Sequence, residues 1–311
     1  MSLDRMIENI VKMQNPTVAG LDPKLAYIPQ YILDESVEKY GKTLEAAANS
    51  LFEFNKALID ELCDIVPAVK PQAAYYEMYG WQGVRVLEAT IAYAQSKGMF
   101  VITDGKRNDI GATMEAYATA HLGETEVFGE KISAFGADSL TVNGYLGTDG
   151  IKPLTKICAE KDKGIFVLVK TSNKSSGELQ DLKLENGNTV YAQMGEMCEA
   201  WGEEIPGKYG YSGVGAVVGA TYSAMLGELR EKMPHTFFLV PGYGAQGGAA
   251  DDVAPGFDKN GLGAIVNSSR GIMCAWQKEE GINPHDFAKA ARREAIRMRD
   301  QIIARIGEIK L

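Results

Sequence analysis

The chain has 311 residues, a formal net charge of −9 and 45% hydrophobic residues. That acidic balance argues against nucleic acid or an anionic membrane surface as the main partner, yet leaves room for a small anion in a local basic pocket. The length admits two average domains or one large α/β barrel, with ample residues for a core.

The N-terminus, MSLDRMIENIVKMQNP, mixes charges among its apolar positions and predicts an amphipathic helix, not a signal peptide. Beyond it, short apolar runs alternate with long helical patterns. The runs predict strands at 17–21, 66–70, 99–103, 139–143, 165–170, 215–220, 237–240 and 264–267. Helices are predicted over segments such as 43–64, 80–97 and 222–232. Eight strand–helix units in about 250 residues imply a (β/α)₈ TIM barrel, with a doubly wound open sheet as the weaker reading. Nothing marks a domain boundary, so 1–311 is expected to form a single barrel domain with an N-terminal helix. One connection stands out: 173–189, NKSSGELQDLKLENGNT, is polar, glycine-punctuated and follows the fifth strand. A loop of that length at the C-terminal face of a barrel predicts a mobile lid.

Several function classes fall away. Cys63, Cys158, Cys198 and Cys274 form no C-x-x-C pair, a pattern that suits reduced, mostly buried thiols in a cytoplasmic protein. No run approaches the length of a membrane span. His121, His235 and His285 are isolated, so no zinc site is expected. Tyr75, Tyr76, Tyr79 and Trp81 are expected to pack the second helix onto the barrel.

The strand ends carry the chemistry. The third strand runs into Asp104-Gly105-Lys106-Arg107-Asn108-Asp109-Ile110. Asp104 and Lys106, two apart, share a face while the chain is extended, and Asp109 follows where a helix should begin. Two carboxylates would bracket one ammonium, keeping it charged and aimed as a proton donor requires. A solvated charge run would read the same way in isolation. Lys70, at the end of the second strand, turns the triplet into an alternating array of Lys70, Asp104, Lys106 and Asp109. The first strand ends Gly20-Leu21-Asp22-Pro23 and the fifth Lys170-Thr171-Ser172.

The seventh strand leads into Pro241-Gly242-Tyr243-Gly244-Ala245-Gln246-Gly247-Gly248. Its GxGxxG spacing would suit a dinucleotide only with an acid about 20 residues on, and the next strand ends Asn267-Ser268-Ser269-Arg270-Gly271 without one. Loops after strands seven and eight of a barrel instead make a phosphate cradle. The N–H groups of Gly247 and Gly248 would meet the anion, with Gln246 alongside and a bidentate contact from Arg270.

These blocks together resemble the orotidine 5′-monophosphate decarboxylase family, in its longer bacterial branch. The resemblance rests on GLDP at 20–23, the lysine at 70, DGKRNDI at 104–110, KTS at 170–172, PGYGAQGG at 241–248 and SRG at 269–271. It implies decarboxylation of orotidine 5′-monophosphate to uridine 5′-monophosphate, the last step of de novo pyrimidine nucleotide synthesis, with no cofactor and no metal. It further implies that Lys106 protonates C6, Asp104 sits against the departing carboxylate, and Lys70 and Asp109 complete the charge network. Asp22 would bind the ribose, Ser172 the pyrimidine edge, and Gln246 and Arg270 the phosphate, with Gln72 also among the substrate-binding residues. In this family the second aspartate crosses a homodimer interface, so Asp109, Ile110 and Thr113 would serve the neighbouring subunit. The nearest rival is a metal-assisted sugar-phosphate decarboxylase or aldolase of the same superfamily, which places an acid on the second strand where this chain has Lys70. A nicotinamide-dependent dehydrogenase and a catalytically silent phosphate-binding barrel are remoter alternatives.

Overall fold

The computed structural model describes residues 2–221, 223–244 and 248–311. Eight parallel strands close into a barrel in chain order: β1 (Thr17–Leu21), β2 (Ala68–Pro71), β3 (Phe100–Arg107), β4 (Ser139–Val142), β5 (Gly164–Lys170), β6 (Val214–Val218), β7 (Phe238–Val240) and β8 (Ala264–Ser268). β8 returns to β1 through Thr17↔Val266, and β1 meets β2 through Gly20↔Lys70. Every residue of β1, β2, β4, β6 and β8 is buried, as expected for parallel strands covered on both faces. Successive residues take opposite faces. Val69 and Val101 pack outward against helices such as Leu44–Leu62, whose first turn is capped by Thr43 Oγ1 accepting from the Ala46 N–H at 3.2 Å.

The inward residues form a second core with the N-terminal helix Ser2–Met13. Leu3, Met6, Ile7 and Ile10 repeat at helical spacing and pack on Ala68, Phe100, Ile102, Phe166 and Ile265. Asn9 Nδ2 donates to the Gly98 carbonyl at 3.2 Å, just ahead of β3. The helix therefore plugs the N-terminal mouth of the barrel and leaves the opposite rim for chemistry.

All eight predicted strands are present, with two differences of substance. β3 runs on to Arg107, through the charged motif. A short antiparallel hairpin, Thr125–Val127 and Glu130–Ile132, lies outside the barrel, its turn made by Phe128 and Gly129 at φ 54 and 90°. The aromatic cluster also departs from expectation. Tyr76 and Tyr79 are buried, but Trp81 is 69% exposed and Tyr75 faces the cavity at the C-terminal rim. None of the described helices is long and apolar enough to cross a membrane. The four cysteines are free; Cys158, Cys198 and Cys274 are buried, and burial pushes the Cys158 thiol up to about 12.

His121, in the helix Gly111–Leu122, is buried and stacks on Phe135 at 4.8 Å. Burial, helped by the Arg107 charge, pushes its pKa down to about 4. The unfolded chain protonates this group near pH 6.5 and the folded chain does not, so its stabilising contribution is intact above that pH and drains as pH falls towards 4. His121→Leu should remove about 3 kcal/mol of the stability lost between pH 6.5 and 4, measured by denaturant unfolding across that range; an unchanged slope would contradict it.

Candidate active site

The strand ends at the C-terminal rim enclose a cavity of about 620 Å³. Its floor is a buried ion cluster. Lys70, from β2, donates to Asp104 Oδ2 at 2.7 Å, and its Nζ lies 3.9 Å from Asp22 Oδ1. Lys106 Nζ donates to Asp104 Oδ1 at 2.6 Å. Thr141 Oγ1, from β4, donates to the same oxygen at 2.8 Å. Lys70 is 4% exposed and Asp104 8%, so each depends on the other for compensation. Burial alone would raise the Asp104 carboxyl, but Lys70 and Lys106 hold it well below the usual carboxylate range. Burial likewise opposes the Lys70 ammonium, and Asp104 and Asp22 together hold its pKa above the ordinary lysine value. Both groups therefore stay ionised throughout the neutral range.

Local backbone geometry sets this arrangement. Thr103 pairs with Leu140 and Arg107 with Val142, so residues 104–106 face Thr141 alone in a bulge. Lys106 adopts φ 48°, a left-handed conformation that costs a non-glycine residue roughly 1 kcal/mol. On β1, a Cβ at Gly20 would lie 1.9 Å from Ser269 Oγ, so glycine is what lets Asp22 reach the rim beside the β8 turn.

The remaining predicted residues divide. Asp22, Ser172 and Arg270 line the cavity with the cluster. Gln72 does not; it bridges β2 to Asp104 through the backbone, and its Oε1 accepts from the Ala74 N–H at 3.2 Å. Asp109 does not bracket Lys106 within its own chain. Its Oδ1 accepts from the Ile110 N–H at 2.8 Å, and it lies outside the cavity lining. Ile110, 50% exposed, and Thr113 both face outward. Gly248 turns its N–H to the Gly242 carbonyl at 3.2 Å, so that amide is engaged within the loop. Gln246 and Gly247 lie outside the described residues.

The loop after β5 is better organised than its composition suggests. Residues Lys174–Ser176 and Gly177–Gln180 form short helical turns. Lys170, fully buried at the strand end, reaches out to Asp181 at 2.6 Å, and Gln180 grips Thr171 at both its N–H (2.9 Å) and its hydroxyl (2.7 Å). Thr171, Ser172 and Asn173 are thereby presented to the cavity. The segment expected to be a mobile lid is thus clasped to the barrel in this conformation.

Sequence reasoning missed Thr141, Asn267 and Lys24. Thr141 reads as an ordinary strand residue; the available signal was the alternation of Ser139 and Thr141 with Leu140 and Val142, which marks a polar stripe facing inward. Lys24 follows Asp22-Pro23 and stands over the rings of Tyr27 and Tyr75, 5.7 and 5.6 Å from their centroids.

A (β/α)₈ barrel with two ammonium groups on one buried carboxylate, and an arginine across the cavity, defines a class of enzyme that acts on a small anionic substrate at the strand ends. Residues 44–282 match the family model described as orotidine 5′-phosphate decarboxylase / HUMPS family. Among similar curated proteins, the orotidine 5′-phosphate decarboxylase of Rhodopirellula baltica is 44% identical over 94% of this chain and 96% of its own length. That of Caldicellulosiruptor saccharolyticus is 43% identical over 88% and 90%. The solved structure of Leishmania donovani OMP decarboxylase matches with a TM-score of 0.72 at 28% identity, covering 96% of this chain and 98% of that one. The chain belongs to the orotidine 5′-phosphate decarboxylase / HUMPS family.

Breaking the buried pair from one side should be costly. Lys70→Met leaves Asp104 short of a counter-charge and should lower unfolding free energy by about 3 kcal/mol, whereas Lys70→Met combined with Asp104→Leu should recover most of that. Denaturant titration of the two variants checks this, and equal losses in both would contradict it.

Proposed function

We propose that this chain decarboxylates orotidine 5′-monophosphate to uridine 5′-monophosphate, with the whole of 1–311 acting as one barrel domain. The observation that carries the reading is the shared carboxylate: Asp104 holds Lys70 at 2.7 Å and Lys106 at 2.6 Å at the floor of the cavity. The naming of the relatives over nearly their full lengths points to the same reaction.

The chemistry follows from that geometry. The bond between C6 and its carboxylate breaks, carbon dioxide leaves, and the electron pair stays on C6. That carbon has no adjacent carbonyl to delocalise the pair, so stabilisation comes from preorganised charge. Lys106, with its Nζ held at Asp104, supplies both the positive field and the proton that completes the new C–H bond. Its neutral amine then regains a proton from solvent, which the partial exposure of this side chain permits. Asp104 meets the leaving carboxylate, Lys70 holds Asp104 ionised, Asp22 takes the ribose, and Ser172 the pyrimidine edge. Arg270, with Gln246, takes the phosphate, so binding energy remote from C6 can assemble the reactive arrangement.

A metal-assisted reaction of the same superfamily is disfavoured by one contact. The space between Asp22 and Asp104 is filled by the Lys70 ammonium, which stands where a bridging cation would need to sit. The free thiols suit a reducing compartment, and we place the enzyme in the cytoplasm.

The surface around Asp109 supports a homodimer with shared sites. Ile110, Tyr145 and Leu146 are large exposed apolar side chains, and a Cβ at Gly150 would touch both the Asp109 carbonyl and Leu146. Exposed apolar side chains on the segments that meet at Asp109, and a carboxylate outside its own cavity lining, are what a residue serving the neighbouring subunit would require.

Two experiments test the reading. Ultraviolet absorbance on adding orotidine 5′-monophosphate should fall with turnover that survives a chelator, and Lys106→Ala should lower kcat by at least about 10³-fold while uridine 5′-monophosphate still binds; strict magnesium dependence, or a fully active variant, would overturn it. Mixing Lys106→Ala with Asp109→Ala protein should restore activity through hybrid dimers. No recovery despite subunit exchange demonstrated by mass would remove Asp109 from the neighbour's site.

A further inference from the structure

Thr141 lies outside the sequence blocks that carry the family resemblance, yet it touches the backbone of Lys106 and the carboxylate that holds the Lys106 ammonium. Its Oγ1 accepts from the Lys106 backbone N–H at 3.0 Å and donates to Asp104 Oδ1 at 2.8 Å. The same Asp104 oxygen receives the Lys106 ammonium at 2.6 Å. A closed ring results: Lys106 amide, Thr141 hydroxyl, Asp104 carboxylate, Lys106 ammonium.

The bulge explains why a side chain does this work. With residues 104–106 facing Thr141 alone, the regular ladder has no backbone acceptor to offer the Lys106 N–H. The left-handed turn at Lys106 bends the chain so that its side chain returns over Asp104 instead of continuing outward, and that conformation persists only where its surroundings impose it. A hydroxyl is one atom that accepts and donates at once. Thr141 is itself 1% exposed and lines the cavity, so its single rotatable bond is already set by packing.

We propose that Thr141 is a positioning residue, whose hydroxyl fixes Lys106 in the left-handed conformation that presents its ammonium to the reacting carbon. This rests on Lys106 being the proton donor. Thr141 acts through Lys106 and Asp104 and transfers no proton itself. Removing the hydroxyl should leave the substrate's ribose and phosphate contacts intact and cost the chemical step, since misplacing a reacting group by an ångström lowers a rate by about 10²-fold.

The test compares Thr141→Val, which keeps the shape and loses the hydroxyl, with Thr141→Ser, which keeps the hydroxyl, in the full-length protein. Thr141→Val should lower kcat by about 10- to 100-fold, with KM and the affinity for uridine 5′-monophosphate within about 3-fold of the parent. Thr141→Ser should stay within about 3-fold on every measure. Amide hydrogen exchange gives a readout independent of turnover: the Lys106 N–H should exchange at least about tenfold faster in Thr141→Val, while Val101 and Leu140 keep their protection. A Thr141→Val enzyme with parental kcat overturns the proposal, as does a Thr141→Ser enzyme damaged as badly as the valine variant. Unchanged Lys106 exchange in Thr141→Val also overturns it. If the parent protein shows no turnover, the decarboxylase reading fails by itself, and the exchange comparison still decides whether the hydroxyl holds Lys106.

Discussion

A buried carboxylate cannot stand without donors, and the demands of Asp104 organise this barrel's rim. Its two oxygens receive Lys70 from β2, Lys106 from β3 and Thr141 from β4. Three neighbouring strands are thus tied at the point where their ladders end. The bulge in β3 and the left-handed backbone at Lys106 are conformations a chain leaves unless something holds it there. Removing the carboxylate would free two ammonium groups, one of them almost wholly out of water.

The floor of the cavity alternates in sign from Asp22 to Lys70 to Asp104 to Lys106. Its formal charges cancel, so the local field has direction without much net charge. Attraction for an anionic substrate must then come from elsewhere in the pocket, where Arg270 and Lys24 are the further cations on the lining. Such a separation of outlying cations from a neutral cluster would let one cavity bind an anion at one end and keep its other charges ordered.

The barrel was legible because most of its strands are buried on both faces and read as short, largely apolar runs between helical patterns. The charged residues of the cavity floor were legible because charge at the end of such a run is conspicuous. Less could be read where backbone geometry overrides pattern. The extended reading of 104–106 put Asp104 and Lys106 on one face, and they do meet, but through a bulge and a left-handed residue that a two-residue period does not encode. Thr141 was hidden because a threonine in a strand is ordinary. Trp81 was assigned to packing by its type, although it sits in the first turn of the helix Gly80–Ser96 with its ring turned to solvent. The 173–189 segment reads as a mobile loop from its glycines and polar residues, because contacts that clasp it come from Lys170 at the end of the strand before it and from Thr171 just beyond.

The N-terminal helix has a consequence for traffic. With Leu3, Met6, Ile7 and Ile10 driven into the lower mouth and the interior packed with Phe100 and Phe166, the barrel has no passage from end to end. Nucleotide, carbon dioxide and water must all use the upper opening. Arrival and departure are therefore competitive events at one doorway, beside which Lys170 and Asp181 clasp the segment that follows β5.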